Sequence, residues 1–220
     1  MPLPQSIRRR VPDRVRDAPA LRAVALTGGL IPPRPMHSEA EARTLAHLCN
    51  GARRVVELGV YEGSSAVMFC RALDRSAELH LIDPFVDASG AALPPGWSST
   101  PTAARVTVWR AAWRQGPRVR WHFARSQDVG RRWNGGPVDL VFIDGDHSLE
   151  GCREDWEAWS GHVRPGGAVA FHDARLGHPA GGGGPGPTEV VDGLFRGPQL
   201  PLGWTFADEV DTLVVVRRTL

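Results

Sequence analysis

The sequence has no lysine: all 26 of its basic residues are arginine. No side chain can form a Schiff base or act as the lysine clamp of a P-loop, which removes two large classes of chemistry. Cysteine is scarce as well. Cys49, Cys70 and Cys152 are the three thiols, far apart and without a CxxC pair, so neither a zinc ribbon nor a redox motif is indicated. An odd cysteine count with no secretory leader fits a reducing, cytoplasmic setting. The N-terminal stretch MPLPQSIRRRVPDRVRDAP is basic but has no apolar centre of the signal-peptide kind, and no apolar run approaches membrane-spanning length. The formal charge of +2 gives no reason to expect a nucleic acid or a charged membrane surface as partner. Such a chain is expected to act on a small molecule.

What is present suits one domain with a sizeable core: 220 residues, 42% hydrophobic and 23% charged. Residues 1–36, rich in Arg and Pro, read as a basic arm, either a loose surface segment or a lid or dimer contact. Residues 37–220 read as a single domain. Within it, Ser38 and Glu41 have the spacing of a capping box ahead of a helix. Short apolar strands then alternate with amphipathic helices. The strands are RRVVELGV, AELHLIDPF, RVRWHFA, VDLVFID and GGAVAFHD, and GWTFADEV and DTLVVVRR close the chain. This alternation predicts a Rossmann-like, doubly wound α/β fold. The expected sheet has seven strands, mostly parallel, with the last strand antiparallel. Residues 175–188, RLGHPAGGGGPGPT, read as a flexible loop, either a flap over a substrate or a passive linker.

In open α/β sheets, ligands bind outside the carboxyl ends of the strands. The first strand ends in VELGVYEGSS, where Gly59 and Gly63 bracket a turn into a helix beginning at Ser64 or Ser65. The spacing is not Gly-x-Gly-x-x-Gly, so the dinucleotide fingerprint is missing and an NAD-dependent oxidoreductase is disfavoured. The second strand ends at Asp83, suited either to ribose hydroxyls or to an ordinary turn before Pro84. After the third strand, Ser126 can cap a helix or touch an adenine edge. The fourth strand ends in Asp144, Asp146 and His147, and the next in His172 and Asp173.

Four stretches, VVELGVYEGSSAVMF, LHLIDPF, VDLVFIDGDHSLEGCREDWEAW and VRPGGAVAFHD, together resemble the successive motifs of class I S-adenosylmethionine-dependent methyltransferases. More narrowly, they are similar to small O-methyltransferases of the catechol, macrocin and novobiocin-sugar kind. The resemblance spans roughly residues 38–173. It implies that S-adenosylmethionine lies against Glu57, Gly59, Tyr61, Gly63 and Ser64, with Asp83 at the ribose, Ser126 near adenine, and Asp144 alongside. Glu57 would organise the turn or reach the amino group.

Adjacent parallel strands bring Asp144, His172 and Asp173 side by side, which suggests a divalent cation. Oxygen ligands suit Mg²⁺, but the His-Asp pair departs from the acidic or amide pair of the metal-dependent relatives, and an imidazole favours Mn²⁺, Fe²⁺ or Zn²⁺. His172 is alternatively a substrate residue or a core histidine. A cation would lower the pKa of an acceptor hydroxyl, and Asp146 or His147 would take its proton. His147, titrating nearer neutrality, is the preferred base. Trp97, Trp109 and Trp113 line an acceptor pocket or, for the pair at helical spacing, serve as packing. The expected function is O-methylation of a small-molecule hydroxyl on a sugar or phenol of a secondary metabolite. Metal-independent transfer and non-catalytic cofactor binding are the alternatives. A homo-oligomer is compatible with the N-terminal arm.

Overall fold

The computed structural model describes residues 18–86, 101–113 and 115–220. The described residues form a seven-stranded sheet of order β3-β2-β1-β4-β5-β7-β6. Its strands are β1 (Arg54–Leu58), β2 (Glu78–Ile82), β3 (Arg118–His122), β4 (Val138–Ile143), β5 (Val163–Phe171), β6 (Trp204–Val210) and β7 (Leu213–Arg218). The first five pair in parallel, and β7 enters antiparallel between β5 and β6. The expected architecture is the observed one. The helices are α1 (Pro19–Thr27), α2 (Glu39–Leu48), α3 (Ser64–Ala72), α4 (Pro101–Ala112), α5 (Ser126–Arg131), α6 (Leu149–Trp159) and α7 (Pro185–Phe195).

The central strands β1 and β4 are mostly apolar and buried because both of their faces are covered, whereas the edge strands β3 and β6 carry exposed polar residues. In β1 and β4, Val55, Leu140 and Phe142 face one layer with Leu45, Phe69 and Val108, from α2, α3 and α4. The alternate residues Val56, Leu58, Val141 and Ile143 face the other, with Cys152, Trp156, Trp159, Val191 and Phe195 of α6 and α7. Each such side chain, removed from water, contributes about 1.5–3 kcal/mol. All three cysteines are buried and free. Burial pushes each thiol up to about 12, so none is a ready nucleophile.

Register is what builds a site. Leu58 pairs with both Ile82 and Ile143, and Ile143 with Phe171. The next residues, Gly59, Asp83, Asp144 and His172, therefore emerge level at the carboxyl edge. The ladder continues through them: Gly59 N donates to Ile82 O, Asp144 N to Leu58 O, and His172 N to Ile143 O. The switch point, where β1 leads to β2 on one side and β4 follows on the other, lies at this edge.

Two segments differ from the sequence expectation. Residues 19–27, read as part of an aperiodic arm, form α1, started by Pro19 at a helix N-terminus where its fixed φ fits. Leu26 is buried and the Arg110 guanidinium donates to the Leu26 and Thr27 carbonyls, capping the helix end from α4. The glycine-rich loop is also shorter than its composition implied, because α7 already begins at Pro185. A β-carbon on Gly186 would lie 2.3 Å from the His147 carbonyl oxygen. That glycine thus marks close helix packing rather than a flexible linker. Residues 1–17 of the arm, and Trp97, lie outside the described residues. Among the described residues no helix is long and apolar enough to cross a membrane.

Candidate active site

Glu57, the fourth residue of β1, is fully buried. Its Oε1 accepts a hydrogen bond from the Ser65 hydroxyl, and its Oε2 has no partner among the described residues. Burial pushes its pKa well above the usual carboxyl range, reinforced by the charges of Asp144 and Asp83. A protonated Glu57 can donate a hydrogen bond as well as accept one.

The turn after β1 is held from below. Gly59 has φ +86°, and a β-carbon there would sit 2.0 Å from the Asp144 carbonyl oxygen. Gly63 has φ +85° and abuts Val108 of α4. Both glycines thus answer to packing as well as to a ligand's need for bare backbone. Asp83 Oδ2 accepts from the Val60 and Tyr61 amides, each at 2.9 Å, and Oδ1 accepts from Phe85 N at 2.6 Å. Oδ1 keeps a lone pair for a further donor. Ser64 opens α3, whose first amides have no intrahelical partner. A donor-rich corner results, next to the buried Glu57, whose Oε2 has no partner among the described residues.

Next to it, four side chains meet. Asp144 Oδ1 lies 2.9 Å from His172 Nδ1 and 3.4 Å from His147 Nε2. Asp173 Oδ2 lies 3.6 Å from His172 Nδ1 and 3.7 Å from His147 Nδ1. Asp144, His147 and His172 are close enough to ligate one cation together. Burial favours the neutral carboxyl of Asp144, but the His172 charge and hydrogen bonds from both imidazoles outweigh it and hold the acid down. Burial would lower His172, yet Asp144, Glu41 and Asp173 carry it upward. His147 is raised chiefly by its hydrogen bond to Asp144.

Two of the residues singled out from the sequence stand apart from this cluster. The exposed Asp146 turns toward its own helix: Oδ1 accepts from Ser148 N at 2.9 Å, and the carboxylate lies against Gly151. The Ser126 hydroxyl donates to Asp155 of α6, so it neither caps α5 nor points freely outward. Trp109 of α4 and Trp113 just beyond it are both exposed, their ring centroids 4.5 Å apart and their planes tilted by 55°.

A family model described as a methyltransferase domain matches residues 56–174, more than half of the chain. The chain belongs to the methyltransferase family. Solved methyltransferases share the fold. TomG of Streptomyces achromogenes, an O-methyltransferase involved in tomaymycin synthesis and solved with SAM, is 21% identical, with a TM-score of 0.55 over 90% of this chain and 88% of its own. A Bacillus cereus O-methyltransferase solved with SAH is 17% identical at a TM-score of 0.59, over 90% and 89% of the two chains. A cofactor-bound protein from MTB is 22% identical at a TM-score of 0.60, over 99% and 98%.

The methyltransferase carries site residues that its linear sequence did not reveal as such. Glu41, read as half of a capping box, does close that box with Ser38. It also accepts from Thr212 N and Oγ1, and its Oε2 lies 3.6 Å from the buried His172 Nε2. A capping acid thereby backs the cluster, across a separation of 171 residues from Thr212 that no local pattern could signal. The buried Asp155 and the pair Arg22–Glu62 went unread for the same reason.

Proposed function

We propose that this methyltransferase takes a methyl group from S-adenosylmethionine and places it on a hydroxyl of a small molecule, on a sugar or phenol of a secondary metabolite, with help from a divalent cation. The observation that carries the reading is the meeting of Asp144, His147, His172 and Asp173 at the level of the Gly59–Gly63 turn. A binding corner and a polar cluster on adjacent strand ends are what an oxygen nucleophile and a bound methyl donor require. The SAM and SAH carried by similar O-methyltransferases support the donor.

The orphaned Glu57 Oε2 and the free amides opening α3 fit such a donor: one meets an amino group, the others a carboxylate. Asp83 Oδ1 has the remaining lone pair for a ribose hydroxyl. The cluster fits a cation as well. Asp144, His172 and Asp173 form a mixed imidazole and carboxylate set, which favours Mn²⁺, Fe²⁺ or Zn²⁺ over Mg²⁺ and leaves the His147 imidazole for the proton. A bound cation would supply a lowered pKa to the acceptor hydroxyl. The chain's own residues hold that hydroxyl in line with the methyl and receive its proton. His147, at the open side of the cluster, is better placed for this than Asp146, whose carboxylate is engaged at the α6 N-terminus.

Titration with S-adenosylhomocysteine, with and without Mn²⁺, tests the reading. A dissociation constant in the micromolar range, roughly −8 kcal/mol, is expected, with a separate Mn²⁺ isotherm that Asp144→Ala abolishes. Absence of nucleoside binding would overturn the proposal. A metal-independent course is favoured by one observation: the facing oxygens of Asp144 and Asp173 already have imidazole nitrogens against them. Turnover unaffected by chelator would establish that course instead.

A further inference from the structure

Glu62 sits in the middle of the turn after β1 and is 2% exposed. A buried carboxylate needs a cation and hydrogen bonds to replace the water it has lost. All of its described partners come from the N-terminal segment. Arg22 of α1 donates to it from Nε and, at 2.6 Å, from Nη2. Arg34 donates its backbone N–H to Oε2 at 2.8 Å and its Nη1 to the Tyr61 hydroxyl at 3.0 Å.

Tyr61 has φ +52° and Gly63 φ +85°, so Glu62 lies between two left-handed residues. A side chain held in that region persists only where its surroundings over-determine it. Asp83 supplies half of that determination, taking the Val60 and Tyr61 amides from the sheet side. Arg22 and Arg34 supply the other half from the N-terminal side. Arg22 is not what docks α1: Leu26 is buried and Arg110 caps the helix end independently. The ion pair is directed at the turn.

We propose that Arg22 is a positioning residue for the methyl donor, fixing the Tyr61–Glu62 corner of the cofactor turn through its two-pronged pair with Glu62. The proposal rests on the reading that this turn cradles S-adenosylmethionine. Without Arg22, Glu62 regains water by swinging outward, and the strained corner relaxes away from the geometry the donor needs.

The test is calorimetric titration of S-adenosylhomocysteine into the full-length wild type, Arg22→Gln, Arg22→Lys and the double variant Arg22→Gln/Glu62→Gln, with melting curves for each. Failure of the wild type to bind would strike the cofactor reading itself, a separate outcome. With the wild type binding, Arg22→Gln should weaken affinity roughly tenfold or more, as loss of one partner of a buried charge pair does. The double variant buries no unpaired charge and should recover most of that loss. Should Arg22→Gln not fold, Arg22→Lys, which keeps the charge but loses the fork, decides the matter: a severalfold weaker Kd is expected. Affinities within twofold of wild type in Arg22→Gln, or in Arg22→Lys where that variant decides, would overturn the proposal. So would a double variant no better than Arg22→Gln.

Discussion

Single residues in this protein are set by neighbours far away in the chain. Gly59 is the sharpest case. Its φ of +86° and the Asp144 carbonyl 2.0 Å from any β-carbon exclude every other residue. Gly59→Ala should cost about 3 kcal/mol or more, read from urea unfolding. Asp155 gives a prediction in pH. It is buried, and burial pushes its pKa up to about 7, against the hydrogen bond from Ser126. An acid whose folded pKa is raised holds its proton longer in the native state than in the unfolded chain. Its contribution is therefore fully present below about pH 4 and is lost as pH rises through about 7. Asp155→Asn should match the wild type near pH 4 and exceed it by on the order of 3 kcal/mol above pH 7. Equal stability differences at both pH values would contradict the assignment. His80 acts in the opposite sense: burial lowers it to about 4, reinforced by His122, so its contribution is complete above about pH 6.5 and fades as pH falls toward 4. Comparing wild type with Asp155→Asn cancels that background.

At the scale of elements, local pattern and long-range contact speak with different force. The capping box of α2 was legible because Ser38 and Glu41 are three residues apart, a local pattern. The strands β1, β2 and β4 were legible because burial on both faces demands continuous apolar runs. α1 and the start of α7 were not, since their residues are ordinary or glycine-rich and become helical through what they pack on. Glu41 shows both levels in one side chain. Ser38→Ala removes the cap on the Glu41 amide, together with the Ser38 hydroxyl's bond to Asp211, and should cost about 1 kcal/mol. Glu41→Ala also strands the Thr212 amide and the imidazole of His172, and should cost roughly twice that or more. Paired thermal melts of the two variants measure the difference. Equal losses would mean that Glu41 is only a cap.

For the whole molecule, the site spans elements from along the chain: α2 and the turn after β1 from the first third, β4 from the middle, and β5 and Thr212 before β7 from the last third. A ligand bound there links the fold together. A ligand that binds only the native state stabilises it by about 2.7 kcal/mol at a hundredfold excess over Kd. S-adenosylhomocysteine at that excess should therefore raise the melting temperature by several degrees, and the rise should be lost in variants that disrupt the turn.

The sequence by itself determined the layered α/β architecture, the antiparallel last strand and the strand tips on which polar residues fall, because alternation, apolar runs and chain order suffice for these. It also placed Asp144, His172 and Asp173 together, since neighbouring parallel strands must end side by side. Only the tertiary structure decided which way each side chain turns at that edge. It drew His147 into the cluster and Asp146 toward the α6 N-terminus. It bound Ser126 to Asp155, and it put Glu41 and Arg22 behind a site they do not adjoin in sequence. The reason is physical: a strand's register fixes where a residue emerges, while a buried charge finds its partner only when the chain has closed around it.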